Sequence, residues 1–388
     1  MPILFFVVFI DIVGFGIILP LLPFIKVMYN ISSQQTGLLV GIFSLMALFG
    51  SILWGYLSDK FGRKYMLTLP LLGTVVVALL SAFATQYWQL LILRGLAGFF
   101  MANFPVAFAA AADITTPQQR FKAMGLLGMA FSVGFVFGPL LGGIFASVNF
   151  EDFTFDANRV VTDLKAPFFA SAFFVFISFL IASIFYKESL SKEDREQKKG
   201  RNIFKQFVNL YKDKIILFTT YLTIISSLVF AGFEIIMSLW LGEVYLLGVA
   251  NIGGYWMVFA LSIAFSRLVG AFLFKNTKKA MFAGFLLTAL GCFIFVLLQN
   301  YITLYLGTFL FAFGMGLIFT SINTRLSLQG LKNQQGTIFG INQLFGNVGR
   351  FVGPILVTLI YGSFGGYVWV FLGLICAINL LLIVKFTN

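Results

Sequence analysis

Apolar runs long enough to cross a bilayer recur along the whole chain, and no other feature restricts its fold as severely. The first is FVVFIDIVGFGIILPLLPFI, residues 6–25, in which Asp11 is the only charge. A hydrocarbon core needs about 20 apolar residues per helical crossing. Hydropathy marks twelve such runs, at 3–25, 36–57, 65–85, 87–112, 122–147, 166–186, 215–241, 250–273, 280–298, 300–324, 336–361 and 364–385. Lipid offers the backbone no hydrogen-bond partner, so a crossing segment must be a helix or part of a closed barrel. Barrel strands lack continuous apolar runs. The expected fold class is therefore an all-α polytopic membrane protein with twelve transmembrane helices.

Composition narrows the function classes. Hydrophobic residues make up 60% of the 388 and charged residues 10%, too few charges to cover a soluble chain of this size. Histidine is absent, which removes His-ligated metal sites and His-based catalysis. Cys292 and Cys376 both sit inside apolar runs and read as small core residues. No glycine-rich phosphate loop occurs, so ATP hydrolysis is not expected, and without clustered metal ligands neither a metal nor a cofactor is expected. The net charge of +12 has a topological explanation. With the N-terminus in the cytoplasm, the inner loops and C-terminus hold 20 Lys and Arg, against Lys26, Arg159 and Lys165 outside. The positive-inside rule thus places both termini in the cytoplasm, in the inner membrane if the source is bacterial, and nucleic-acid binding is not needed to explain the charge.

The longest polar segment, KESLSKEDREQKKGRNIFKQ (187–206), separates two sets of six spans. The expected organisation is an N-terminal half (1–186), a cytoplasmic linker (187–213) and a C-terminal half (214–388). The halves repeat. At a shift of 215 residues GYLSDKFGRKYM (55–66) falls on GAFLFKNTKKAM (270–281), and GLLGMAFSVGFVFGP (125–139) falls on GINQLFGNVGRFVGP (340–354). The second pair keeps Gly125/Gly340, Gly134/Gly349, Gly138/Gly353 and Pro139/Pro354. Parallel repeats of this kind place a substrate path between the halves near the bilayer midplane.

GYLSDKFGRKYML joins the second and third spans. Gly55 suits close helix contact, Asp59 can face a cation or a helix N-terminus, and Arg63 and Lys64 can bridge to neighbouring helix ends. The loop closely resembles the signature loop of the major facilitator superfamily. Together with Asp113 as the expected partner of Arg63, and with Arg120, it reads as a cytoplasmic gate. The plain alternative is that these cations only set topology. SVGFVFGPLLGG (132–143) puts Gly134 and Gly138 on one helix face, with Pro139, Gly142 and Gly143 close behind. It resembles the fifth-helix motif of proton-coupled antiporters in that superfamily. LILRGLAGFFMAN places Arg94 where such exporters carry a buried arginine. Asp11 before LPLLP resembles the first helices of the drug:proton antiporter branch, which includes tetracycline exporters and vesicular amine transporters. Glu234, six residues before Trp240, resembles an acidic position of the amine transporters. The acids of the third and ninth spans and the histidine of the tetracycline exporters are missing here, so tetracycline is a poor expectation.

The charges inside spans are Asp11, Arg94, Glu234, Arg267 and Arg350. Each costs about 2.5–3.5 kcal/mol at a helix centre on insertion scales, so each requires a reason. The resemblance implies proton coupling through Asp11, Glu234 and Arg94; a static Asp11–Arg94 ion pair is the structural alternative. Asn103, Arg350, Asn342, Gln343 and Asn323 are the expected substrate contacts, interhelical hydrogen bonding being their structural alternative. The expected function is proton-coupled export of a small, amphipathic organic molecule by alternating access, with a monomer in the lipid bilayer as the working unit. The alternatives are export of an endogenous anionic metabolite such as a siderophore, import on the same fold, and a polytopic membrane enzyme or sensor.

Overall fold

A computed structural model describes residues 1–102, 104–149, 154–155, 165–190, 214–274, 276–297, 299–329 and 335–387. Helices dominate it. Eleven stretches have the length and hydropathy of a membrane span, and the last, Asn342–Lys385, holds two helices. These are Gln335–Phe364 and Val368–Thr387, parted by a 3-10 turn at Gly365–Tyr367 whose Gly365 has φ 55°. Glycine tolerates that left-handed angle without a Cβ clash. The described residues thus carry twelve spans, as the apolar runs predict.

Two spans are broken where continuous helices were expected. The first is helical over Pro2–Gly16, tightens into a 3-10 turn at Leu19–Leu21, and resumes at Leu22–Met28. Pro20 and Pro23 explain the break, since each lacks an N–H and crowds the preceding turn. The fourth span divides into Tyr87–Phe100 and Phe104–Asp113, and Pro105 stands in the first turn of the second piece. Pro70, Pro139 and Pro354 sit inside uninterrupted helices.

The described residues form two compact units, Met1–Ile203 with Met237–Met257, and Phe204–Ile236 with Val258–Asn388. In the first unit, the fifth span lays its glycines on the backbone of the first. A Cβ on Gly134 would stand 2.7 Å from the Phe9 carbonyl oxygen, and one on Gly138 would stand 2.9 Å from that of Val13. Gly142 meets Ile17 in the same way. On another face of the first span, Ser171 donates to the Gly14 carbonyl at 2.9 Å and Ser178 to that of Val7 at 3.1 Å. Gly50 and Gly98 bring the second and fourth spans together against Phe99 and Phe43.

The second unit repeats this device. Gly349 meets Ile224 and Leu228, and Gly353 meets Leu228 again. Ile224 lies 215 residues after Phe9, and Leu228 lies 215 after Val13. The register that relates the glycines therefore also relates the backbone atoms they touch. Elsewhere in this unit Gly284 packs on the Gly314 carbonyl, and Phe233 stacks on Phe311 with ring centroids 3.8 Å apart.

Replacing Gly138 by valine is expected to lower the thermal midpoint of the purified protein, since overpacking costs about 1–3 kcal/mol. Gly128→Ala is the control: a Cβ there meets nothing within 4 Å, and its midpoint should match wild type.

Candidate functional site

Three groups of polar side chains stand out against the apolar helices. The first surrounds Arg63 in the loop between the second and third spans. The chain turns there through Gly62, whose φ of 107° favours glycine. Arg63 is 3% exposed. Its Nε donates to Asp113 at 2.9 Å, its Nη2 to Asp59 at 2.8 Å, and its Nη1 to Ser58. Two acids and a hydroxyl thus satisfy one buried guanidinium, and they tie the loop to the end of the fourth span.

Sequence reading missed a fourth member of this group. The third span starts at Arg63 without a side-chain cap, which leaves its first N–H groups open. Glu188, beyond the end of the sixth span, supplies the acceptor. It takes the Arg63 N–H at 2.9 Å and the Lys64 N–H at 3.3 Å. A carboxylate at a helix N-terminus also faces the positive end of the helix dipole. Tyr186 donates to Ser189 at 2.7 Å beside it. Burial, with added repulsion from Glu188 and Asp113, pushes the ionisation of Tyr186 up to about 12, so its hydroxyl stays a donor at neutral pH. The uncapped start of the third span was the available signal; nothing in the charged run after 187 distinguishes Glu188 from its neighbours.

Other expectations for this loop need correction. Gly55 was expected to permit close helix contact, yet a Cβ there would meet nothing within 4 Å. Gly50, five residues earlier on the same helix, makes the close approach. The Arg120 side chain lies outside the described residues.

The second group lies in the Phe204–Ile236 and Val258–Asn388 unit, on the seventh and eleventh spans. Glu234 is 1% exposed. Its Oε2 accepts from Arg350 Nη2 at 3.0 Å, while Oε1 is buried with no hydrogen-bond partner among the described residues. The Arg350 guanidinium also stands 5.6 Å from the centre of the Phe230 ring, one turn before Glu234. Two turns further from Glu234, Thr223 donates to Asn342 Oδ1 at 2.7 Å. Gly349, immediately before Arg350, sets the spacing through its contact with Ile224. Gln343 and Asn323 are exposed and join neither pair. Asn103 lies outside the described residues.

The third group is in the other unit. Asp11 is 4% exposed on the first span and Arg94 8% exposed on the fourth. The structure does not pair them: the described contact of the Arg94 guanidinium is the Phe43 ring, 4.9 Å away. Gly134, Gly138 and Gly142 hold the fifth span on the first, next to Asp11. Pro139 and Gly143 face the start of the eighth span, the Pro139 carbonyl against Gly253 and Gly143 against Val249. Lys26, at the end of the first span, pairs with Glu243 and donates to Ser33 at 2.9 Å. The sequence placed Lys26 among loop cations and gave no sign of this partner, which is 217 residues away.

Arg63→Gln should lower the thermal midpoint by the equivalent of about 1.5–3 kcal/mol, the range for hydrogen bonds to charged groups. Glu188→Ala should cost less, about 0.5–2 kcal/mol for a lost cap. Because both effects converge on one loop, the double variant should fall short of their sum.

The family model of the Major Facilitator Superfamily matches residues 4–354 and 274–387. Multidrug resistance protein 2 of Bacillus subtilis is 27% identical over 387 residues, covering 96% of this chain and 91% of that protein. The class B tetracycline resistance protein of Escherichia coli is 26% identical over 390 residues, covering 96% and 92%. Among solved structures, a bacterial homologue of the human lysosomal transporter Spinster superposes with a TM-score of 0.77 at 17% identity, over 93% of this chain and 82% of that one. That last likeness is one of fold. Spans, repeat, signature loop and family match agree: the chain is a multi-pass membrane transporter, not an enzyme, and belongs to the Major Facilitator Superfamily.

Proposed function

We propose that this transporter exports a small, amphipathic organic molecule from the cytoplasm in exchange for protons, by alternating access. The observation that carries the reading is Glu234. One of its oxygens is held by Arg350, and the other is buried without a hydrogen-bond partner among the described residues. A proton can occupy the open oxygen with little rearrangement. Protonation removes the negative charge and releases the Arg350 guanidinium from its partner. In a low-dielectric span that change alters the energy of any conformation that buries the pair. A cationic or hydrogen-bonding substrate would compete for the same oxygen, which is the exclusivity that antiport requires.

Asp11, equally withdrawn from solvent, is the second proposed proton site. Arg94 keeps its proposed place in coupling, but by acting on the first unit as a whole rather than through contact with Asp11. Arg350, Phe230 and Asn342 are the proposed substrate contacts; Gln343, Asn323 and Asn103 remain secondary candidates. The two proposed moving bodies are the halves 1–186 and 214–388, joined by 187–213. The Arg63 cluster, with Asp59, Lys64, Asp113, Arg120 and Glu188, is the proposed cytoplasmic latch. Lys26, Ser33 and Glu243 form its proposed counterpart on the opposite side. The loop charges support an orientation with both termini in the cytoplasm, and a monomer suffices for this scheme. Similarity to multidrug and tetracycline resistance proteins supports export of a foreign organic compound.

The test uses everted membrane vesicles with an acid interior and a pH-sensitive dye, challenged with a panel of organic cations and carboxylates. Wild type should release protons on addition of a transported compound. Glu234→Gln should abolish that release while the protein remains folded in the membrane, and Asp11→Asn should weaken or abolish it. Proton release that is unchanged in Glu234→Gln would remove that residue from the coupling. Accumulation of the compound against its own gradient that persists after an uncoupler collapses the proton gradient would overturn antiport altogether.

A further inference from the structure

The first, third, fourth and sixth spans line a small cavity that no role above employs. Its volume is about 30 Å³, room for about two water molecules. Arg94 lines it from the fourth span. Arg94 is 8% exposed, and among the described residues no acid, hydroxyl or carbonyl pairs with its guanidinium. Its described contact, the Phe43 ring 4.9 Å away, offers the N–H donors no oxygen or nitrogen acceptor.

The remaining lining sharpens the imbalance. Among the described residues it contains no acid, and Asp11 is not part of it. Phe15, Met101 and Phe168 contribute apolar wall, which lowers the local dielectric and strengthens attraction for a counter-charge. Three hydroxyls also line it, and each already donates to a backbone carbonyl: Thr74 to Pro70 at 3.0 Å, Ser81 to Val77 at 2.7 Å, and Ser171 to Gly14 at 2.9 Å. Among the described residues the guanidinium is thus the one uncommitted donor lining a small, otherwise neutral space. A buried cation without a counter-charge is among the most expensive arrangements a fold can hold, and here room for a counter-charge lies directly beside it.

We propose that this cavity binds one compact anion against Arg94, either a halide ion or the carboxylate group of an organic solute. The shared chemistry is a single negative charge small enough for the space and able to accept two or more N–H bonds from the guanidinium fork. Bulky sulfonates do not fit. Such an ion neutralises the buried charge of the fourth span in place of Asp11. The site lies wholly within one unit and does not depend on proton coupling at Glu234.

The experiment measures thermal unfolding of the full-length protein in detergent micelles by tryptophan fluorescence, without any transport step. Chloride, bromide, formate and acetate are titrated separately while the morpholine sulfonate MES holds ionic strength constant. A saturable rise in the wild-type midpoint with chloride and bromide identifies a halide site. A saturable rise with a carboxylate and not with halides identifies a carboxylate site. Either supports the proposal, provided that Arg94→Gln loses the response. Ala97→Leu fills the cavity while retaining the arginine, and it should lose the response as well. If Arg94→Gln does not fold, Ala97→Leu carries the test, together with anomalous diffraction from wild-type crystals in bromide, which should place a peak at the guanidinium. The proposal is overturned if the wild-type midpoint is the same in every anion as in MES, or if a saturable response persists in Ala97→Leu. Because binding is read without transport, a negative result here leaves the coupling at Glu234 standing, and failure of that coupling leaves this site standing.

Discussion

Close approach of helix backbones is the constraint on which the rest of this protein depends. In lipid, helices gain nothing from the hydrophobic effect by touching each other, so association relies on dense packing and on hydrogen bonds between spans. Gly134, Gly138 and Gly142 let the fifth span lie on the carbonyls of the first, and Gly349 and Gly353 do the same for the eleventh on the seventh. Ser171 and Ser178 add hydrogen bonds on the other side of the first span. The first and seventh spans are therefore held from the side by glycine faces, and these are the spans that carry the buried acids Asp11 and Glu234.

Each buried charge is resolved differently, and the differences indicate function. Arg63 is engaged at all three guanidinium nitrogens by Asp59, Asp113 and Ser58, as the proposed latch requires. Glu234 and Arg350 are engaged on one oxygen only, which leaves a place for a proton or a ligand. Arg94 has a ring over it and a small cavity beside it, but no acid. A structural ion pair would be expected to satisfy both partners, since burying ions incompletely paired is costly. The incomplete pairs are for that reason the positions where exchangeable species are expected.

Much of this was legible in the sequence, for physical reasons. Apolar runs of bilayer length located the spans within a few residues. The 215-residue register emerged because the same backbone contacts demand glycine at the same offset in both halves. The pairing of Arg63 with Asp113 followed from the signature loop. What stayed hidden depends on contacts that leave no periodic trace. Glu188 reaches the third span from a run of similar charges, and Lys26 meets Glu243 across most of the chain. Gly55 misled because a glycine in a motif was taken for a packing glycine, whereas the close approach belongs to Gly50. Asp11 and Arg94 were linked only through resemblance, and their actual surroundings depend on rotation of two helices that hydropathy does not report.

The account turns on whether Glu234 changes its protonation state in the folded protein. Infrared difference spectra of the transporter in lipid nanodiscs, recorded between acidic and alkaline buffer, report the carbonyl stretch of protonated carboxyl groups directly. The account predicts a band that titrates in wild type, disappears in Glu234→Gln and survives in Asp113→Asn, whose carboxylate is committed to Arg63. A titrating band that is unchanged in Glu234→Gln would show that this acid keeps one charge state throughout, and would contradict the proposed coupling.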